Sequence, residues 1–165
     1  MEIKLTTLTT DILKMITNKK PSAFAVISGK EGIQGTVCFY SCLKGSLMIY
    51  EIKNLPISDI SQGGVYAFHI HAGKTCKNLT EIPYEKTLGH FNPQECKHPY
   101  HIGDLPPLFS TKGIAWAMIY IDKFKPDEII GRTIVIHEHA DDFHSQPSGN
   151  SGNKIACGEI KKFMK

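Results

Sequence analysis

Short apolar runs bounded by turn residues recur along this chain from residue 22 onward, and they confine it to an all-β architecture. SAFAVISG and GIQGTVCFY, separated by the turn from Gly29 to Gly32, have the form of a hairpin. SLMIYEIKNL, VYAFHIHA, IAWAMIYI, GRTIVIHEH and KIACGEIKKF read as five further strands. Seven short strands with turn signals predict an antiparallel sandwich or barrel. Upstream, TLTTDILKMIT (7–17) carries a weak helical period behind Thr and Asp start signals. Residues 1–21 therefore read as an N-terminal arm or short helix, and 22–165 as the main domain.

The long segment 73–113 breaks this rhythm. A stretch of about forty residues without regular structure is unusual inside a compact domain and is usually functional. This one is rich in Gly, Pro, Asn and His. Of the eight histidines, five fall between 69 and 101 and three between 137 and 144. The first two sit in FHIH (68–71). Strand side chains alternate, so His69 and His71 point to one side, while Tyr66, Phe68 and Ile70 point to the other, which reads as buried. Two imidazoles on a rigid strand can begin a metal site. Alone the pair is weak, because two surface histidines on a half-buried strand explain it as well.

The loop strengthens the case. GHFNPQECKHPYHIGDLPPL (89–108) brings His90, His98, His101 and Asp104 close in sequence. Three imidazoles and a carboxylate match a closed tetrahedral zinc site in ligand type and number. Cys96 offers an alternative thiolate. In GRTIVIHEHADDF (131–143), His137 ends an apolar strand. His139, two residues on, is either a further ligand or a solvent-facing residue in a charged turn.

Composition excludes other classes. A length of 165 residues suits one domain with a real core. A net charge of +3, with Lys and Arg scattered, gives no nucleic-acid signature. No apolar stretch is long enough to span a membrane, and MEIKLTTLTTDILKMITNKK lacks the form of a signal peptide. A cytoplasmic chain is expected, and there free thiols are the default for the five cysteines.

Taken in order, GTVCF (35–39), FHIH (68–71), Cys76, GHFNP (89–93), His98, HIGDLPPL (101–108), GRTIVIHEHADD (131–142) and GNKIACGEI (152–160) resemble the copper/zinc superoxide dismutase family, in a bacterial-like form. The resemblance runs from about residue 24 to 160. It implies a Greek-key β-barrel or sandwich, immunoglobulin-like, with long metal-binding loops. It implies copper on His69, His71, His90 and His137, and zinc on His90, His98, His101 and Asp104, with His90 bridging the metals. Asp141 matches the carboxylate that links histidines of the two sites, and Cys76 and Cys157 match the family disulfide. That leaves Cys38, Cys42 and Cys96 as free thiols, and His139 and His144 without a family role.

The activity implied is dismutation of superoxide to dioxygen and hydrogen peroxide by copper redox cycling, with zinc structural. His90 would exchange a proton as copper is reduced. The implied partner is the superoxide anion. Neither nucleic acid nor membrane is expected, and a homodimer stays open because the family includes dimers and monomers.

Two departures matter. Lys154 stands where the family has arginine at the channel mouth. Charge is kept but the forked donor geometry is lost, so reduced activity is expected. Arg132 precedes a strand in the wrong place to substitute. The spacer between His98 and His101 is only Pro99 and Tyr100, and the late loop has few acidic residues beyond Asp141 and Asp142. Lys154 and the short spacer favour the alternative of a dismutase-like copper/zinc-binding protein with little or no catalysis.

Overall fold

The structure, a computed structural model, describes residues 7–57, 63–78 and 81–164. A helix, α1 (Thr7–Asn18), occupies most of the N-terminal segment, whose residues 1–6 lie outside the described residues. The strands are β1 (Ala23–Gly29), β2 (Gln34–Cys42), β3 (Gly45–Lys53), β4 (Gly63–Tyr66), β5 (Phe68–His71), β6 (Leu108–Thr111), β7 (Ala115–Ile121), β8 (Thr133–His137), β9 (Lys154–Glu159) and β10 (Lys161–Lys162). A one-turn helix, α2 (Pro126–Ile129), lies between β7 and β8.

The large antiparallel sheet runs β5-β8-β9-β1-β2-β3-β7, with β10 also on β1, while β4 and β6 form a separate pair. β3 takes β7 as its outer neighbour, and β5 takes β8, so the chain crosses between distant strands in Greek-key fashion. The sheet curls around one core that includes Phe39, Met48, Ile52, Phe68, Leu108, Ile134 and Ile136, all fully buried. Edge-to-face contacts of Tyr50 with Phe68 and of Phe39 with Phe124 lie at centroid distances of 5.8 and 6.1 Å, separations at which such pairs add to simple burial.

Three readings of the sequence need correction. VYAFHIHA is not one strand. It breaks at Ala67, whose N–H and C=O are taken by His139 and His137, so Tyr66 belongs to β4 and FHIH to β5. The segment 73–113 is not free of regular structure, since β6 lies within it. KIACGEIKKF divides at Ile160, whose backbone pairs with Gly131 and Arg132 before β10 turns onto β1.

The long loop also has ties that need no metal. It passes twice along the free edge of β5. Phe91 N–H donates to Ile70 C=O at 2.8 Å, and Ile70 N–H to Gly103 C=O at 2.9 Å. Gly103 is required there, because a Cβ would lie 2.2 Å from Ile70 O. At its start the loop is bound to β9 by the Cys76–Cys157 disulfide, and Thr75 Oγ1 donates to Glu159 Oε1 at 2.8 Å. Cys38, Cys42 and Cys96 are free thiols.

The disulfide closes a loop with a sequence separation of 81. Cys76→Ser should therefore lower stability by about 2–4 kcal/mol, the usual effect of removing such a cross-link. It should also expose 72–88 to protease while the sheet stays intact. Urea unfolding with limited proteolysis checks this, and an unchanged midpoint would remove the disulfide from the stability account.

Candidate metal centre

Alternation along β5 puts Phe68 and Ile70 into the core and His69 and His71 on the opposite face. That face is buried too, because the loop passes 89–91 and 103–105 and the late loop 138–153 cover it. Ring nitrogens of His69, His71, His90 and His137 lie within 4.8 Å of one another. The same holds for the donor atoms of His90, His98, His101 and Asp104. Each of the seven ligands that the resemblance implies is thus brought into one of two clusters, and His90 belongs to both. A bulge at Ile136/His137 re-aims the end of β8 and sets His137 opposite Lys154 on β9.

Hydrogen bonds fix the proton on His69, His71 and His98. Asp141, its side chain 1% exposed, accepts from His69 Nε2 through Oδ2 and from His98 Nε2 through Oδ1, each at 2.8 Å. Burial works to raise its pKa, but these bonds and the Phe143 N–H prevail and hold the carboxyl at about 2. A carboxylate only accepts, so both Nε2 atoms carry hydrogen and both Nδ1 atoms carry lone pairs. His69 Nδ1 and His98 Nδ1 are then buried without a hydrogen-bond partner, and so is His90 Nε2.

His71 Nδ1 donates to Leu88 C=O at 2.8 Å, and His137 Nδ1 to Gly152 C=O at 3.4 Å. Their Nε2 atoms face each other at 3.2 Å. Two ring nitrogens at that distance either share one proton or hold a cation between them.

In the second cluster His90 Nδ1 is 2.8 Å from Asp104 Oδ1 and 3.3 Å from His101 Nδ1. His98 Nδ1 is 3.1 Å from Asp104 Oδ2. Tetrahedral zinc with bonds of about 2.0–2.1 Å needs ligand atoms about 3.3 Å apart. The short Pro99–Tyr100 spacer is therefore compatible with a compact donor set.

Burial pushes the ring pKa values down. His69 is lowered, His71 well below the usual histidine range, and His137 to about 3, with His69, His90 and Lys154 adding to the depression at His137. Asp104 is held low by His90, His101 and His98 against the opposing effect of burial. The centre therefore collects neutral imidazoles at His69, His71 and His137 and two ionised carboxylates, with a buried Nδ1 lone pair on His69 turned inward. That is a cation site in charge as well as geometry.

Above the first cluster lies a cavity of about 480 Å³, lined by His71, His90, His101, His137, Cys96 and Lys154. Lys154 Nζ donates to Thr87 Oγ1 at 2.7 Å, Leu88 C=O at 3.0 Å and Tyr84 C=O at 3.4 Å. Burial lowers its pKa. Cys96 is an exposed thiol on the rim. His139, 63% exposed, faces solvent beside Glu138, and neither residue joins a cluster. Arg132 lies elsewhere, with its guanidinium over the Phe91 ring and on Ala72 C=O.

Several residues were not legible in the sequence. Gln146 clamps the backbone of His98 like a neighbouring strand. Its Oε1 accepts from His98 N–H at 3.0 Å and its Nε2 donates to His98 C=O at 2.8 Å. Buried Ser151 lies 3.2 Å from His137 Nδ1. Gly149, at φ +67, lies over Asp141, where a Cβ would come within 1.9 Å of Oδ1. Side-chain amides and backbone carbonyls carry no spacing signal, although the glycines of QPSGNSG were a hint.

Acid should destabilise the metal-free protein. Between an unfolded histidine value of about 6.5 and the depressed folded values, the unfolded chain binds protons that the fold refuses. Stability is then lost as pH falls through that window, by up to about 1.4 kcal/mol per pH unit for each of His69, His71 and His137. Asp141 extends the loss toward pH 2 with the same sign. Urea midpoints of chelator-treated protein from pH 7 to 4.5 should fall steadily, whereas a flat profile would contradict neutral buried rings.

Comparison with known proteins agrees with this geometry. The model of the copper/zinc superoxide dismutase family matches residues 33–160. A protein of Aquifex aeolicus named superoxide dismutase [Cu-Zn] 2 is 34% identical over 132 residues, covering 71% of this chain and 72% of that one. A SOD-like protein from Bacillus subtilis, of known crystal structure, superposes with a TM-score of 0.69 at 27% identity, covering 82% of this chain and 96% of that one. The Cu/Zn superoxide dismutase from Brucella abortus shares the fold, with a TM-score of 0.71 at 24% identity over 84% of this chain and 99% of that one. The chain belongs to the copper/zinc superoxide dismutase family, and copper and zinc are its cofactors.

Proposed function

We propose that the protein dismutates superoxide, with copper in the cluster of His69, His71, His90 and His137 and zinc in the cluster of His90, His98, His101 and Asp104. The convergence of His69, His71, His90 and His137, with ring nitrogens within 4.8 Å of one another beneath an open cavity, carries this reading. Nitrogen donors suit copper, and the compact mixed set of imidazoles and one carboxylate suits zinc. Copper, when bound, supplies the one-electron chemistry that turns one superoxide into dioxygen and another, with two protons, into hydrogen peroxide.

The remaining work falls to the chain. His90 Nε2, buried and without a hydrogen-bond partner, is the atom that takes up and releases a proton next to the cavity. Asp141 holds His69 and His98 in the tautomers that turn both Nδ1 atoms inward. Lys154 places positive charge at the cavity wall, where it favours entry of an anion.

One observation supports the second reading, a metal-binding protein with little catalysis. The three donors of the Lys154 ammonium are matched by three acceptors, Thr87, Leu88 and Tyr84. An arriving anion must compete with them, which also supports reduced activity in the catalytic reading.

The test is the dismutation rate of protein reconstituted with copper and zinc. A fast rate is expected, falling in His137→Ala by more than the roughly 10–100-fold that losing an outer-shell partner costs. A fully metal-loaded protein no faster than His137→Ala would favour the second reading. Lys154→Arg should raise the rate with little change in its dependence on ionic strength, because charge is kept and only the donor geometry differs.

A further inference from the structure

The donors of the second cluster are tied to the fold from outside the loop in different ways. His90 pairs with His71 by a backbone bridge, and Asp104 with His69. His98 is held by Asp141 and by the Gln146 clamp. His101 follows the two-residue spacer, whose Tyr100 is 74% exposed and gives no anchorage. Its own N–H and C=O are engaged within the turn by Asp104, through Oδ2 at 3.0 Å and N–H at 3.2 Å. Gly103 and Asp104 are fixed to β5, so the outer part of the turn, 99–102, is what is left to shift, and it carries His101.

Lys123 fills that gap. Its ammonium donates to Asp104 C=O at 2.9 Å, His101 C=O at 3.2 Å and Pro99 C=O at 3.5 Å. An ammonium has three donors, and here all three go to the carbonyl side of this one turn. The base is rigid. Ile121 and Phe124 on either side are buried, Phe124 packs on Phe39, and its carbonyl accepts from buried Ser46 Oγ at 2.9 Å. A flexible side chain thus rises from a fixed point to grip the turn.

We propose that Lys123 is a positioning residue of the second cluster, locking His101 beside Asp104 in a donor set that the short spacer alone does not fix. It touches neither metal nor substrate, and it acts through the three backbone carbonyls of Pro99, His101 and Asp104. The inference rests on the reading of this cluster as the zinc site.

The test uses the full chain loaded with copper. Zinc affinity is measured by chelator competition, and the visible bands of cobalt(II) in place of zinc report the donor geometry. Lys123→Met should bind zinc about tenfold more weakly, as loss of an outer-shell partner typically does, and should alter the cobalt bands. Lys123→Arg, which keeps donors and charge, should recover most of both. Wild-type zinc affinity in Lys123→Met would overturn the proposal. So would weaker zinc binding with unchanged cobalt bands and an equally lowered unfolding midpoint of the metal-free protein, since that is a purely structural effect. His101→Ala separates the two levels of the argument. If it binds cobalt as wild type does, the zinc assignment falls and the role of Lys123 falls with it.

Discussion

The centre depends on one carboxylate. Asp141 accepts from Nε2 of both His69 and His98 and thereby decides which nitrogen of each ring carries a lone pair. Both lone pairs then point inward, one into each cluster. The arrangement demands a close cover, since Gly149 lies where no side chain fits and the Phe143 N–H caps the same oxygen. A buried carboxylate surrounded by neutral rings is costly in isolation. Without metal, the hydrogen bonds alone offset that cost. With cations in both clusters the same charge becomes a partner to each, so the fold holds electrostatic energy in reserve for metal.

Strands with full alternation were legible in the sequence, and strands defined by their neighbours were not. β2 and β3 each supply nine residues of clear pattern. β6 has four, of which only Leu108 and Ser110 face inward, and two prolines precede it. Nothing in VYAFHIHA marks Ala67 as a break, because the break is made by His137 and His139 arriving from the other side of the chain. Hydrogen-bond partners from distant segments set such boundaries, and a local window contains no trace of them.

At the site, residue type and order carried the legible part. Imidazoles and carboxylates are rare enough in this arrangement to stand out, and all seven candidate donors meet in the two clusters. The supporting residues are chemically ordinary. Lys123 is one lysine among many, and Gln146 acts through an amide that resembles backbone. Leu88 and Gly152 contribute only carbonyls. The ties of the long loop are hidden from the sequence for the same reason. Its pairing with β5, its disulfide and its lysine clamp are tertiary facts, and metal is one tie among several.

His90 makes the two clusters dependent on each other. Its Nδ1, 2.8 Å from Asp104, lies in the second cluster, and its Nε2 is buried without a hydrogen-bond partner and is the nitrogen left for the first. While Nδ1 donates to Asp104, Nε2 offers a lone pair toward His71 and His137. A cation in the second cluster must displace the Nδ1 proton. If the ring stays neutral, that proton moves to Nε2 and points at the lone pairs of the first cluster, which opposes a second cation there. Filling both sites requires the ring to give up the proton altogether, so loading is linked to proton release. A ring placed between the two clusters would thus couple the filling of one to the filling of the other through a single proton.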